Sequence, residues 1–517
     1  MESIWNTATG HWQMGQSPGA PGQDELLQIL TYARKLNIPS VFWITRGHEY
    51  HSHYKDFASH FDFVFCADPR ESELLQDEKI KSDILLPCVQ PAIYNPFRHY
   101  EHYHSFRLGM LYDGWADLDR MEEELGVLKD IIPYGLDIIE SRYQIFRNRE
   151  ATLQDFQESI VGCVSEQSRI QALRYAKAYI SLDKTLSTKV TQQWLSLEAS
   201  ASRLPVIHYG SVADDDVRNG AIVQCPDQTD FQMEVVRFYE DDLYRDRMAH
   251  LGWRKVFQEH TFSHRIRKIC MNIGIDHGWI EYPMVSMVTP TKRCEQLQRC
   301  LETYEKQSYP DKELILVYNG NPTSQQKKSW AEFDRDDIKF AIVPGDMFAG
   351  ACLNQGHIMA RGEYLFRVDD DDWYGANYLM DMVLQARSID AQLFGKPPAP
   401  LYFETDQQVY KREHRYPLCL VPSDLLSSGK LWLGGNSMTG SKTIFQRIRY
   451  RDTVYGAADS SLMYNLDTAE ESLCAFMDDF NLVAVRRAEK SEHTWQFNET
   501  DFKKQLIDAG CIEDWML

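Results

Sequence analysis

An apolar run that ends on four consecutive carboxylates, GEYLFRVDDDDW with Asp369, Asp370, Asp371 and Asp372, constrains this chain more than any other segment. Glu363 to Val368 reads as a buried strand, and open α/β sheets bind their ligands at the carboxyl ends of the strands. Adjacent carboxylates repel and raise one another's pKa unless a cation neutralises them, and hard oxygens at this density suit Mg2+ or Mn2+. The cluster is either a solvated acidic loop or a seat for a divalent ion that holds a diphosphate. Flanking sequence has to choose between them.

A chain of 517 residues exceeds one ordinary core, and at roughly 150 residues per domain it predicts two to four units. The formal charge of -21 argues against a nonspecific nucleic-acid or anionic-membrane binder, because both need a dominant basic field. No nucleic-acid partner is expected. The N-terminal MESIWNTATGHWQMGQSPGAPGQ lacks a basic stretch followed by an apolar one, and no segment approaches the roughly 18 apolar residues of a membrane span. These features predict no integral membrane segment and a cytoplasmic location, free or peripheral to the inner face of the membrane. Eleven cysteines run from Cys66 to Cys511 without a CxxC pair, which reads as reduced, mostly buried thiols rather than a zinc or disulfide framework.

Helical and strand-like segments alternate through both halves, so a mostly parallel α/β sheet is predicted in each. In the first half the helix patterns are DELLQILTYARKL, HYKDFASHF, Ser168 to Ala178 and Thr191 to Ser200. The strand patterns between them are IPSVFWI, DFVFCA, Ala178 to Leu182 and Pro205 to His208. Two Rossmann-like lobes, 1–107 and 108–282, fit this series, with a charged helical stretch from Asp241 to Asn272. A second series starts at the strand Met284 to Val288. It continues through helix Arg293 to Lys306, strand Glu313 to Tyr318, helix Gln325 to Phe333, strand Ile338 to Val343 and helix Gly350 to Arg361. The main boundary is placed near Tyr282.

Residues 282–517 resemble a family 2 glycosyltransferase of the GT-A fold. The resemblance rests on VSMVTPTKR at Val285 to Arg293, on ETYEKQSYPDKELILVYNGN, and on GACLNQGHIMARGEYLFRVDDDDW. It implies a metal-dependent inverting transfer of a sugar from a nucleotide-diphosphate donor, UDP-linked by preference, to a glycan, glycolipid or protein acceptor. By match, Thr291 and Asn319 line the nucleotide pocket, and Asp369 and Asp371 are the two acids of a DxD motif that holds Mn2+ or Mg2+. Asp370 is counted with the donor-binding acids, and Asp372 either binds the sugar or adds a surface charge. Asp459, in VYGAADSSLMYNL, matches the family's general base, with the N-cap of the following helix as its plain alternative. His493 in EHTWQ matches a histidine that some relatives offer to the metal, and is otherwise structural. The chain departs from the pattern at Tyr318, Lys292, Leu353 and Ala458, where the family favours an acid, an aromatic, an arginine and an acid. The Gly-rich LWLGGNSMTGS at Leu431 to Ser441 suits close backbone approach to an acceptor.

Residues 1–281 resemble the CgeB-type glycosyltransferase-like proteins of GT-B architecture, through ESIWNTATGHW, IPSVFWITRGHEYHSHYKDFASHFDFVFCAD, LPCVQPAIYNPF, WLSLEASASRLPVIHYG and EHTFSHRIRKI. That resemblance places Glu198 at the donor-ribose position of such enzymes, but Leu195 stands where an arginine is usual and Arg203 where a glycine is. A scaffold or acceptor-binding role is favoured over a second active site. Two other classes compete for the whole chain: a noncatalytic carbohydrate-binding protein and a bifunctional transferase. A nucleotidyltransferase is disfavoured, because no Gly-rich phosphate loop follows VTPTKR.

Overall fold

The computed structural model describes residues 22–102, 108–113, 122–139, 154–162, 164–182, 189–275, 278, 281–331, 335–413, 416–452, 458–466, 473–488 and 499–517. ESIWNTATGHW, all of SPGAPG except Gly22, and His493 with its EHTWQ motif lie outside the described residues. The chain divides into two compact units, one of residues 1–96 with 106–279 and one of residues 97–105 with 280–517.

The first unit opens with three short parallel strands, β1 (Val41–Ile44), β2 (Phe63–Cys66) and β3 (Asp83–Ile84), in that order. Their apolar faces are closed by the helices Gln23–Lys35, His51–Ala58 and Pro69–Asp77, which deliver Leu26, Leu30, Tyr54, Phe57 and Leu75 to one core. The next strand, β4 (Arg98–His99), falls in the stretch read from sequence as the end of the first lobe. It belongs instead to the second unit's sheet, where it runs parallel to a strand at Cys419–Val421. Two residues have no periodicity to read.

The larger sheet of the first unit contains β5 (Met110–Asp113), β6 (Leu136–Ile139), β7 (Ile160–Gly162), β8 (Ala178–Leu182), β9 (Val206–Tyr209) and β10 (Val223–Cys225). Their order is β10-β9-β8-β5-β6-β7, all parallel, so the winding reverses between β5 and β8. Helices Asp242–Glu259 and Phe262–Ile273 follow, as the charged helical pattern predicts.

The second unit holds a nine-stranded sheet whose leading part is parallel: β11 (Val285–Thr291), β12 (Lys312–Asn319), β13 (Ile338–Val343) and β14 (Tyr364–Arg367), in the order β13-β12-β11-β14. These strands are mostly apolar, and helices including Leu297–Lys306 and Ala349–Met359 pack on them. A five-stranded sheet starts immediately after the aspartates with β15 (Trp373–Tyr374). Then come β16 (Leu393–Gly395), β17 (Leu401–Phe403), β18 (Gln408–Arg412), β19 (Cys419–Val421), β20 (Thr439–Ser441), β21 (Cys474–Phe476), β22 (Leu482–Arg486) and β23 (Leu506–Asp508). β16, β19, β20 and β21 extend the large sheet, and the five-stranded one runs β15-β22-β17-β18-β23. Among the described residues no helix is long and apolar enough to cross a membrane.

Candidate active site

Parallel pairing of β11, β12 and β14 brings Thr291, Asn319 and the four aspartates to one edge of the sheet, the carboxyl edge. The strand leading into the aspartates is apolar except for Arg367, its last residue. That arginine decides much of the local electrostatics. Its Nε donates to Asp369 Oδ1 at 2.8 Å and its Nη2 to Asp369 Oδ2 at 3.1 Å, a two-point pair between neighbours on one short turn. Burial works against the guanidinium's charge, but Asp369 and, after it, Asp459 keep it protonated.

A second arginine serves the next two carboxylates. The sequence predicts a helix from Arg293, yet Arg293 itself is extended, with φ -103° and ψ 100°, and a 3-10 turn at Cys294–Gln296 precedes the α-helix. Thr291 accounts for the delay, because its hydroxyl takes the Arg293 amide and bonds Asp370. The extended backbone turns the guanidinium onto the acids, with Nη2 at 2.6 Å from Asp370 Oδ1 and 2.8 Å from Asp371 Oδ2. Arg299, one turn into the helix, donates to the carbonyls of Asp371 and Asp372.

The four acids therefore have different tasks. Asp369 and Asp371 keep side chains 25% and 22% exposed, enough to meet a ligand. Asp370 is buried, and burial raises its pKa against the pull of Thr291 and Arg293. Asp372, read from sequence as a sugar ligand or a surface charge, is buried and so is no surface charge. Asn436 Nδ2 holds its Oδ2, the Val485 amide holds its Oδ1 at 2.9 Å, and burial with Asp371 and Asp369 nearby pushes it up to about 7. It ties the acidic turn to β22. Tyr374 completes the brace by accepting the Asp369 amide and donating to the Asn436 carbonyl at 2.7 Å.

Asn319 ends β12 with its amide nitrogen on the Met347 carbonyl and Cys352 Sγ, while its Oδ1 is buried with no hydrogen-bond partner. Such an acceptor is costly to leave unmade unless a ligand supplies the donor. Thr291 is buried and spends its hydroxyl on Asp370 and Arg293, so it shapes the pocket by holding its walls. Tyr318 packs on Trp330 and accepts from the Cys294 thiol.

Asp459 sits in the first turn of the helix Ala458–Met463 rather than ahead of it. Gly435 makes its approach possible: a Cβ there would come within 2.8 Å of Asp459 Oδ2 and 3.2 Å of Arg367 Nη1. The Gly-rich loop thus leaves room for a carboxylate and a guanidinium beside the Gly435 backbone. Arg367 Nη1 is buried without a hydrogen-bond partner, and the Tyr450 hydroxyl, whose pKa burial raises, lies in the same electrostatic neighbourhood. Arg293, Arg299, Arg367, Asn436 and Tyr374 went unread as site residues in the sequence. An arginine inside YLFRV, immediately before acids, was the available signal.

A divalent cation suits this donor set. Asp369 and Asp371 offer hard oxygens and are partly open, and the ion would compete with Arg367 and Arg293 for them.

Glu198 belongs to the first unit, in the helix Lys189–Ala201. Its Oε2 accepts from Arg169 Nη2 at 2.6 Å, and Arg169 Nε also pairs with Asp113 at the end of β5. Burial raises the Glu198 pKa while Arg169 lowers it. Arg203 adopts φ +55°, the left-handed region that a glycine takes without strain.

Residues 286–432 match the model of the family described as Glycosyl transferase family 2. Over 100 residues, 19% of this chain, the sequence is 30% identical to WcaA of Escherichia coli (strain K12), whose name assigns it to colanic acid biosynthesis as a glycosyl transferase; the match covers 36% of that protein. Over 109 residues it is 28% identical to EpsH of Bacillus subtilis (strain 168), named as a glycosyltransferase, covering 31% of it. The chain thus spans about a third of the length of these relatives. The crystal structure of S. aureus TarS 1-349 in complex with UDP-GlcNAc aligns at 14% identity and a TM-score of 0.33, over 43% of this chain and 64% of that one. The residues similar to glycosyl transferase family 2, 286–432, fall within the second unit.

Proposed function

We propose that the second unit is an inverting glycosyltransferase that takes a sugar from a nucleotide-diphosphate donor, UDP-linked by preference, and passes it to a hydroxyl of a glycan, glycolipid or protein. The observation that carries this reading is Arg367: one buried guanidinium holds Asp369 and adjoins Asp459. A carboxylate on the diphosphate side and a candidate base therefore share one site. Asn319 Oδ1 receives a donor N–H from the nucleotide, and Asp371 and Asp369 would hold Mg2+ or Mn2+. When bound, that ion neutralises the diphosphate as it leaves. Asp459 takes the proton of the acceptor hydroxyl as the hydroxyl oxygen attacks the anomeric carbon. His493, outside the described residues, stays a candidate metal ligand.

We read the first unit as a scaffold or acceptor-binding body. Engagement of Glu198 by Arg169, and a side chain at Arg203 where backbone would approach a phosphate, support that reading over a second donor site.

The test is calorimetric titration of UDP into the full chain with and without Mn2+. Asp371→Ala is expected to abolish the Mn2+-dependent part of the binding, and unchanged affinity would return the aspartates to an acidic surface turn. Donor turnover should release nucleoside diphosphate; release of pyrophosphate would instead indicate nucleotidyl transfer.

A further inference from the structure

The first unit contains a second cluster of ligand-type side chains, also at the carboxyl edge of a parallel sheet. β1 and β2 are adjacent and parallel, so the loops that leave them emerge side by side. The loop after β1 carries Gly47, His48 and Glu49 and runs through a 3-10 turn into the helix His51–Ala58. The loop after β2 delivers Asp68 as N-cap of the helix Pro69–Asp77, with Oδ1 taking the Arg70 amide. Asp68 Oδ2 then receives both the His48 amide at 2.9 Å and His48 Nδ1 at 2.7 Å. One ligand atom each of His48, Glu49 and Asp68 lies within 4.8 Å of the other two.

Two independent features go beyond a helix cap. The exposed Glu49 carboxylate lies over Gly47, where a Cβ would stand closer than 3 Å to both of its oxygens, so a side chain at 47 would displace it. Behind the cluster, Glu71 is wholly buried. Its Oε1 meets His51 Nδ1 at 3.0 Å, while its Oε2 has no hydrogen-bond partner. Burial pushes Glu71 up to about 7 against the pull of His51, with Asp68 raising it and His48 lowering it, so this unmet carboxylate belongs to the same electrostatic neighbourhood.

We propose that His48, Glu49 and Asp68 form a three-ligand site for a divalent first-row transition ion of the Zn2+ class, separate from the aspartates of the second unit. The donor set supports this choice: an imidazole nitrogen favours Zn2+ and its neighbours over Mg2+ or Ca2+, and two carboxylates neutralise the ion. Three protein ligands leave a coordination position for water or an anionic oxygen, on the edge where such sheets receive ligands.

The experiment uses the metal-stripped full chain carrying Asp371→Asn, so that the second unit's acids do not contribute. It is titrated with Co2+ and read by visible absorption, then challenged with Zn2+. The expected result is one equivalent of Co2+ with d–d bands of a low-coordinate site, no thiolate charge-transfer band, and displacement by Zn2+. Adding Glu49→Gln should weaken binding beyond the roughly 10- to 100-fold that loss of an outer partner costs. Gly47→Ala should weaken it as well, because that change keeps every donor and only displaces Glu49; Gly47 has φ -77°, which alanine adopts freely. His48→Gln is the third arm, and if it misfolds the exposed Glu49 decides. Absence of tight Co2+ binding, a sulfur-ligated spectrum, or binding indifferent to both Glu49→Gln and Gly47→Ala overturns the site.

Discussion

Both units place carboxylates and an arginine at the ends of parallel strands, and they differ in how far water reaches them. In the first unit Asp113, Arg169 and Glu198 have side chains only 4%, 7% and 15% exposed, and of the acids on Arg169 only Glu166, at 64%, reaches water. In the second, Arg367 and Asp370 are as closed, at 15% and 6%, but Arg293 is 27% exposed, with Asp371 and Asp369 at 22% and 25%. A closed ion cluster has already satisfied its charges within the protein, and removing one member strands the others. An open one can exchange a protein cation for a ligand or an ion at small cost. The same residue types at the same topological place therefore predict structure in one unit and chemistry in the other.

The largest effect should come from breaking the closed cluster. Arg169→Met leaves Asp113 and Glu198 facing each other in a buried site, and should destabilise the first unit by about 3–5 kcal/mol. Native-state hydrogen exchange of the Met110–Asp113 amides reads this directly. A loss below about 1 kcal/mol would mean that water enters the cluster, and the contrast between the units would fail.

Chemistry should respond only in the open cluster. Asp459→Asn is expected to lower sugar transfer by roughly 10² or more while UDP affinity changes less than a few fold, as loss of a general base does. The substitution preserves size beside Gly435. Near wild-type transfer would move the base elsewhere and leave Asp459 as a first-turn helix acid.

Acid should sharpen the comparison, because burial in the first unit also extends to a histidine. His260 Nδ1 accepts from Arg265 Nη2 at 2.9 Å, and burial, then Arg265, holds its pKa down to about 3 against an ordinary 6.5. The folded state stays neutral where the unfolded chain takes a proton, so this contribution is whole above pH 6.5 and is lost as pH falls from there toward 3. Between pH 7 and pH 5 the loss is about 2 kcal/mol, and His260→Gln should flatten that slope in acid unfolding. An unchanged slope would mean that His260 is protonated in the fold.

Much of this was legible in the sequence, for reasons that differ by element. Ala178–Leu182 and Ile338–Val343 read as strands because each is a short run of high β-propensity between turn signals, and both have those bounds in the structure. The place of Asp369 and Asp371 at the carboxyl edge was legible because the apolar run before them reads as a strand. Their partners were not. Arg367 and Arg293 lay inside the quoted motifs, but which acid each would meet depends on backbone extension at Arg293 and on a glycine at 435. The burial of Asp372 was not legible, because its brace to Asn436 and the Val485 amide is supplied from residues far along the chain. The pairing of Arg98–His99 with Cys419–Val421 was equally hidden, since two-residue strands carry no pattern.

The smallest expected effect is the most discriminating for the first unit. Glu198→Gln keeps an oxygen for Arg169 Nη2 and removes one negative charge from a cluster that retains Asp113, so the fold should tolerate it. If Glu198 serves only that cluster, sugar transfer by the full chain should change by roughly twofold or less, a barrier change under about 0.5 kcal/mol. A donor ribose held by the same carboxylate would respond differently, because the hydrogen-bonded anion would be replaced by a neutral amide at the nucleotide. The measurement is incorporation from each nucleotide sugar in turn, wild type against variant, with Asp459→Asn as the control that silences the second unit. If Asp459→Asn leaves a residual incorporation that Glu198→Gln then removes, the chain contains two transferases, and the closed cluster of the first unit opens when its donor binds.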